Sequence, residues 1–386
     1  MQDQQRVVRT QRRPSTSFRI DDLTEAATHQ PGFADHQIVL RWRDAATGLN
    51  ALVAVHDRTL GPAVAHCRMT PNLTIAQAID DVLVRSRVMT CRSAIAGLGL
   101  GGAAVTVLGS PRTGKSPALF RALGRLVDRL NGGLILLPDI GLGIHDLDFA
   151  AMETPFVLGA TPGGSGDASV ATAYGAYLAI AAAARHRLGC ESLAGVTVTV
   201  QGAGRVGYAL CTLLARDNAT LLVADPDGES AAHVARDYGA AIVVPAAAHR
   251  VRADVLVACA GARAIDERVA AEAAAGIIVA VADAALTEPS IARTLAGRGI
   301  LYVPECAAGA RARRHAARER DRGGYERNRA MARLAGIGTS VRRMAEAAAA
   351  EDTTLVDAAE AMAGHAIAQR RSRLRLAAVT PAWAHR

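Results

Sequence analysis

The chain has 386 residues, half of them apolar, a net charge of +8 and only 3 % aromatic side chains. That length accommodates two domains with separate cores, and so few aromatics argue against a surface that stacks single-stranded bases. The positive charge is spread over Arg-rich stretches rather than gathered on one basic face, so no nucleic-acid partner is expected.

The opening "MQDQQRVVRTQRRPSTSF" is basic and lacks an apolar centre. It reads as a disordered tail and lead-in, residues 1–34, rather than a secretory signal. No apolar run approaches the roughly 18 residues of a membrane span. The six cysteines, Cys67, Cys91, Cys190, Cys211, Cys259 and Cys306, contain no CxxC pair. Neither a metal site nor a disulfide framework is expected, and free thiols fit a cytoplasmic protein.

Residues 35–168 read as a mixed α/β domain. "HQIVLRWRDAATGLNALVAVHDRTLGPA" alternates apolar and polar residues around turn glycines, the pattern of strands and hairpins. "TIAQAIDDVLVRSRVMTCRSAIA" follows with helical periodicity, placing Ile75, Ile79, Val82, Leu83 and Val88 on one side. Then come a turn "GLGLGG", a strand "AAVTVLG", a helix "SPALFRALGRLVDRL" and a strand "GGLILLPD" ending at Asp139. Between the second strand and helix, "GSPRTGKS" (Gly109–Ser116) has Walker A spacing, which raises a nucleoside-triphosphate hydrolase as one reading. "TPGGSGDASVATAYG" reads as a hinge into an alanine-rich helix.

Residues 169–335 alternate strand-like and helix-like stretches: "GVTVTVQG", "VGYALCTLLARD", "ATLLVAD", "SAAHVARDYG", "AAIVV", "ADVLVACA", "AGIIVAVAD" and "RGILYVPE". Continuous apolar runs mark strands buried on both faces. Their repetition with helices predicts a doubly wound parallel sheet. Between Arg311 and Arg329, eight arginines stand against three acids, the composition of a solvated helix face. Residues 336–386 read as C-terminal helices.

The strongest motif is "VTVTVQGAGRVGYAL", with Gly202, Gly204 and Gly207 in GxGxxG spacing directly between a strand and a helix. Gly202 permits the tight turn, Gly204 clears the approach of a pyrophosphate, and Gly207 allows close helix–sheet packing. The helix start then offers free amides and its positive dipole to phosphates. Asp225 ends the next strand, 18 residues after Gly207. A carboxylate there accepts hydrogen bonds from ribose hydroxyls and repels a 2′-phosphate, which favours NAD over NADP. Arg205, at the start of the same helix, pulls in the other direction.

From His56 onward, "VHDRTLGPA", "MTCRSAIAGLGLGG", "LGSPRTGK", "FRALGRLVDRLNG", "PDIGLGIHDLDF", "GGSGDASVATAYG" and "VQGAGRVGYAL" follow in an order that resembles the Glu/Leu/Phe/Val amino-acid dehydrogenase family, leucine dehydrogenases in particular. The resemblance implies a substrate and dimerisation domain, a Rossmann-type NAD-binding domain, C-terminal helices packing back on the first domain, and a homo-oligomer. It implies an amino-acid or 2-keto-acid-like substrate in the cleft between the domains, with hydride passing between its Cα and nicotinamide C4. Gly202, Gly204, Arg205, Val206, Gly207 and Asp225 would hold the coenzyme, with Thr172, Cys259, Ala260 and Asp283 as further contacts. "GSPRTGKS" becomes the family's Pro-Arg-Thr turn rather than a P-loop.

The sequence departs from the family at its reacting end. Arg92 stands where a lysine holds the substrate carboxylate; it keeps the charge but not the geometry. Ala104 stands at the catalytic lysine, and alanine can neither polarise a carbonyl nor stabilise charge. Asp139, in "PDIG", keeps the family's acidic proton-relaying position. Ala65-His66 replace pocket-floor glycines, which narrows the pocket and adds an imidazole; His66 is a candidate substitute base. Asp283-Ala284 replace an Asn-Asn pair, and "GARA" (Gly309–Ala312) an Asn-Ala-Gly-Gly run. His145 reads as a surface residue. Two functions stay open: an NAD-dependent oxidoreductase acting on the CH–NH2 group of an amino-acid-like molecule with altered chemistry, and a non-catalytic NAD-binding protein on the same scaffold.

Overall fold

The computed structural model describes residues 18–159, 168–259, 261, 263–282, 284–308 and 327–379. Two six-stranded sheets organise them. The first holds β1 (Phe18–Asp22), β2 (Ile38–Asp44), β3 (Leu49–Asp57), β4 (Ala63–Thr70), β5 (Gly101–Leu108) and β6 (Leu134–Pro138) in the order β1-β2-β3-β5-β4-β6. The β1–β2, β2–β3 and β3–β5 ladders are antiparallel, β2 and β3 being joined by a short hairpin turn. Strands β5, β4 and β6 are parallel, because helices α2 (Ile75–Ala96) and α3 (Pro117–Arg129) make the crossovers. Short helices α1 (Thr24–Ala27) and α4 (Ile144–Ala151) complete this half.

Local chemistry sets the long helix α2. Thr74 and Gln77 form a reciprocal capping box at its start, and Gly97 ends it in the left-handed region at φ 61°. Its buried face, including Ala78, Val82, Leu83 and Met89, covers one side of the sheet. Helix α3 covers the other with Leu119, Phe120, Leu123 and Leu126. Strand alternation then sorts β4: Ala65 and Cys67 join the α3 core, whereas His66 and Arg68 point the opposite way.

The second sheet holds β7 (Thr197–Gln201), β8 (Thr220–Ala224), β9 (Ala241–Ile242), β10 (Val255–Ala258), β11 (Ile277–Ala280) and β12 (Leu301–Val303). It is wholly parallel in the order β12-β11-β10-β7-β8-β9, the doubly wound arrangement with its switch point between β7 and β10. Every residue of β10 and β11 is buried, as their unbroken apolar runs demand. The "AAIVV" stretch keeps only two residues in the ladder, at the exposed edge. Helices α5 (Ser169–Leu188), α6 (Arg205–Arg216), α7 (Gly228–Tyr238), α8 (Glu267–Glu272), α9 (Ile291–Gly297) and α10 (Glu305–Ala308) surround it. They are followed by α11 (Arg327–Ala332), α12 (Gly336–Ala350) and α13 (Leu355–Val379). Buried alanines of α5, among them Ala173, Ala176, Ala179 and Ala183, let neighbouring helices approach closely. Helix α13 returns to the first half, where the Cys91 thiol meets the Ala359 carbonyl oxygen at 3.7 Å and Arg371 reaches Asp57 at 2.6 Å.

Candidate active-site cleft

The carboxyl ends of β4 and β6 in one sheet and of β7, β10 and β11 in the other converge on a cleft of about 330 Å³. Ligands of open α/β sheets bind in such a place. Gly202, Gly204, Arg205, Val206, Gly207 and Cys259 form one wall, closed by Thr172 and Ser169 of α5; His66, Arg68 and Asp139 belong to the other.

Backbone geometry builds the first wall. Gly202 sits at φ 104°, which side-chain-bearing residues rarely adopt. A Cβ at Gly207 would lie 1.8 Å from the Gly202 carbonyl oxygen, so helix and turn meet only without it. Gly204 differs: a Cβ there would meet no protein atom within 4 Å, and as N-cap of α6 it leaves the helix start without a side-chain cap. Open space in front of uncapped amides is what a diphosphate needs. Asp225 stands just outside the cleft. Its Oδ2 accepts from the Ala203 amide at 2.6 Å and its Oδ1 from that of Asp227 at 2.8 Å. Each oxygen keeps a second lone pair for a hydroxyl donor. Burial pushes the Cys259 thiol well up, so it serves as a neutral wall rather than a nucleophile.

Side chains build the second wall. The Asp139 amide donates to the Cys67 carbonyl at 3.0 Å, fixing the residue at the end of β6. Its Oδ2 accepts from Arg68 Nε at 2.6 Å and lies 3.8 Å from His66 Nδ1. Arg68 Nη1 also lies 3.8 Å from Asp81 Oδ1 on α2. Behind these, burial and the neighbouring acids Asp139 and Asp146 push the Cys67 thiol up to about 12, outweighing the opposing pull of Arg85.

Other sequence-selected positions lie elsewhere. Ala104 is fully buried among Ala54, Val82 and Leu83 beneath α2, directly opposite His66 in the β4–β5 ladder, and does not line the cleft. Arg92 is buried at the seam between the halves, its Nε donating to the Glu305 carbonyl at 3.2 Å. Glu305 in turn accepts from the Ala284 amide at 3.0 Å. His145 is exposed beside Asp148. Ala260, Asp283 and the Gly309–Ala312 run lie outside the described residues, as does most of the Arg311–Arg329 segment.

The Walker-like turn is not a phosphate cradle. Its Arg112 and Thr113 amides donate to Ser110 Oγ, its Gly114 amide donates to the Ser110 carbonyl, and Lys115 Nζ pairs with Asp146 at 2.5 Å. Ser116 caps the following helix. Among the described residues there is no cluster of metal-ligating side chains and no helix long and apolar enough to cross a membrane.

Sequence reasoning singled out His66 but passed over Arg68. The signal was present, since two residues along a strand share a face.

Residues 36–156 match the family model for the Glu/Leu/Phe/Val dehydrogenase dimerisation domain, and residues 163–234 that for Glutamate/Leucine/Phenylalanine/Valine dehydrogenase. The leucine dehydrogenase of Geobacillus stearothermophilus is 37 % identical over 331 residues, covering 85 % of this chain and 90 % of that protein. The phenylalanine dehydrogenase of Lysinibacillus sphaericus is 35 % identical over 279 residues, 70 % and 73 % of the two chains. The crystal structure of L-tryptophan dehydrogenase from Nostoc punctiforme superposes with a TM-score of 0.70 at 31 % identity, covering 84 % of this chain and 94 % of that one.

Proposed function

Because the chain belongs to the Glu/Leu/Phe/Val dehydrogenase family, we propose that it is an NAD-dependent oxidoreductase acting on the CH–NH2 group of an amino-acid-like small molecule. The observation that carries this reading is the shared cleft: one cavity is lined both by the glycine turn of the nucleotide half and by His66, Arg68 and Asp139. The open space at Gly204, the uncapped start of α6 and the Asp225 carboxylate fit a dinucleotide without a 2′-phosphate. Bound NAD supplies the hydride acceptor, its nicotinamide C4.

The chain's own residues then manage protons and charge. Oxidation removes a hydride from Cα and a proton from the amine, leaving an imine to which water adds before ammonia leaves. Asp139 is the proton acceptor in reach of the cleft, and His66, 3.8 Å away, is its relay. Arg68 opposes negative charge but cannot transfer a proton, since a guanidinium stays protonated. Lys115 is the only lysine in the sequence, and it is engaged by Asp146. No second lysine exists to take over from Ala104. A cytoplasmic homo-oligomer assembled through the N-terminal domain is part of the same reading.

The test is absorbance at 340 nm with NAD and a panel of amino acids, and with NADH, 2-keto acids and ammonia. Turnover is the expected result. Calorimetric binding of NAD(H) with no turnover would instead establish the second reading, a non-catalytic nucleotide-binding protein, which the buried Ala104 favours. No affinity for either form of the coenzyme would remove both. Asp225→Ser should narrow the preference for NAD over NADP.

A further inference from the structure

We propose that the buried Arg85–Asp81 pair is a positioning device for Arg68, and that Arg68, held by it against Asp139, supplies the fixed positive charge that Ala104 cannot. The second half of this statement rests on the cleft being an oxidoreductase site.

Arg85 is 1 % exposed, an unusual place for a guanidinium. Burying a charge is costly unless it is paired and its donors are satisfied. Here they are. Its Nε and Nη2 donate to Asp81 Oδ2 at 3.0 and 2.8 Å, one turn earlier on α2. Its Nη1 donates to the His66 carbonyl at 3.2 Å, and its Nη2 to the Val105 carbonyl at 3.3 Å and to Thr106 Oγ1. One side chain thus ties α2 to β4 and β5 at the residues around Ala104.

Asp81 stands between the two arginines. Burial alone would raise its carboxyl; Arg85, with Arg68 and Thr106, overrides that and holds it below the ordinary carboxylate range. Its Oδ2 is saturated by Arg85 and by Thr106 Oγ1, which donates at 2.7 Å. Only Oδ1 faces Arg68, at 3.8 Å, whereas Asp139 holds Arg68 Nε at 2.6 Å. Two acids therefore compete for Arg68, and Arg85 decides the contest by occupying the first. Without Arg85, Asp81 would draw Arg68 away from Asp139 and out of the cleft wall. An apolar residue at 85 would suffice to fill the buried space against β4 and β5. The five-donor fork is needed to neutralise Asp81.

An arginine also differs from a lysine in its titration. Its charge persists past pH ~12, while a lysine ammonium is lost around pH 10.4.

The experiment compares wild type with Arg85→Leu, Arg85→Lys and Arg68→Lys, using protein labelled at arginine Nε. The Arg68 Nε–H resonance, identified by its loss in Arg68→Lys, reports the bond to Asp139 directly and needs no turnover. In Arg85→Leu it should move or broaden, kcat should fall about tenfold or more with KM little changed, and NADH affinity should stay within about twofold. Arg85→Lys should recover part of both signals. Arg68→Lys should add an alkaline limb to the kcat profile that wild type lacks. A folded Arg85→Leu protein with an unmoved Arg68 resonance overturns the positioning role. Wild-type protein that binds NADH but turns over nothing overturns the catalytic half, while the resonance still decides the other. If Arg85→Leu does not fold, Arg85→Gln, which keeps a polar group near the His66 and Val105 carbonyls but carries no charge to neutralise Asp81, takes its place, and an unmoved resonance there is equally fatal.

Discussion

The two walls of the cleft are made of different material. On the nucleotide side the working parts are backbone: a turn at φ 104°, a helix start, and glycines that keep side chains out of the way. On the substrate side they are side chains from three elements, His66 and Arg68 of β4, Asp139 beyond β6, and Asp81 with Arg85 of α2. Any residue supplies an amide, so a backbone site survives drift around a few glycines. A side-chain site is rewritten by one substitution: where the sequence resemblance leads one to expect a catalytic lysine, Ala104 belongs to the apolar core.

The largest expected effect tests whether the two walls are separable. Asp139→Asn should lower turnover by about 10²–10⁴, with NADH affinity measured by calorimetry unchanged within about twofold. A parallel loss of NADH affinity would mean that the walls act as one.

Acid should distinguish the halves next. His36 lies beneath α2 in the substrate half, 4 % exposed, with its ring edge against His56. The Ala34 amide donates to its Nδ1 at 3.1 Å, so the proton sits on Nε2, which faces the Leu83 carbonyl at 3.0 Å. Protonating Nδ1 would set two donors face to face. Burial, with His56 close by, pushes the His36 imidazole down to about 4. The unfolded chain takes up this proton near pH 6.5 and the folded chain does not, so stability is complete above pH 6.5 and falls as pH drops toward 4. At about 1.4 kcal/mol per pH unit, the loss is on the order of 3 kcal/mol. Urea unfolding followed through the buried Trp42 should show it, and His36→Gln should flatten it.

These contrasts also explain what the sequence disclosed. The strand–helix alternation after Gly195, the glycine turn and Asp225 were legible because each is a local pattern with a local cause. His66 and Asp139 were legible as residues but not as neighbours, since they meet only when β4 pairs with β6. Arg85 was invisible: on paper it is a charge at a helical position, and nothing local distinguishes a solvated arginine from one buried against an aspartate and two carbonyls. Arg92 was assigned from its position in a motif, and the fold sets it against Glu305 at the seam, where chain segments over 200 residues apart come together.

Two glycines three residues apart sharpen the contrast within the nucleotide wall. Gly207→Ala forces a shift of helix or turn and should cost about 1–3 kcal/mol of stability, read as a lower Tm. Gly204→Ala enters open space, so Tm should hold while NADH affinity drops several-fold. The opposite pairing would mean that the open space at Gly204 is not where the diphosphate lies.

The smallest effect concerns how the walls are held together. Arg263, in the loop after β10 and at φ 58°, places Nη2 2.7 Å from Asp80 Oδ2 on α2. The pair bridges the halves directly, but its side chains are 56 % and 23 % exposed. Such a pair contributes about 0.2–1 kcal/mol and is weakened by salt. Asp80 Oδ1 also accepts from the Gly32 amide, so the acid stays in place when its partner goes. Arg263→Ala should therefore raise KM only about twofold to fivefold, leave kcat unchanged, and remove part of the salt sensitivity of wild-type KM. A loss beyond tenfold, or one that salt does not reproduce in wild type, would move Arg263 from a latch between the walls to a contact with the bound ligand.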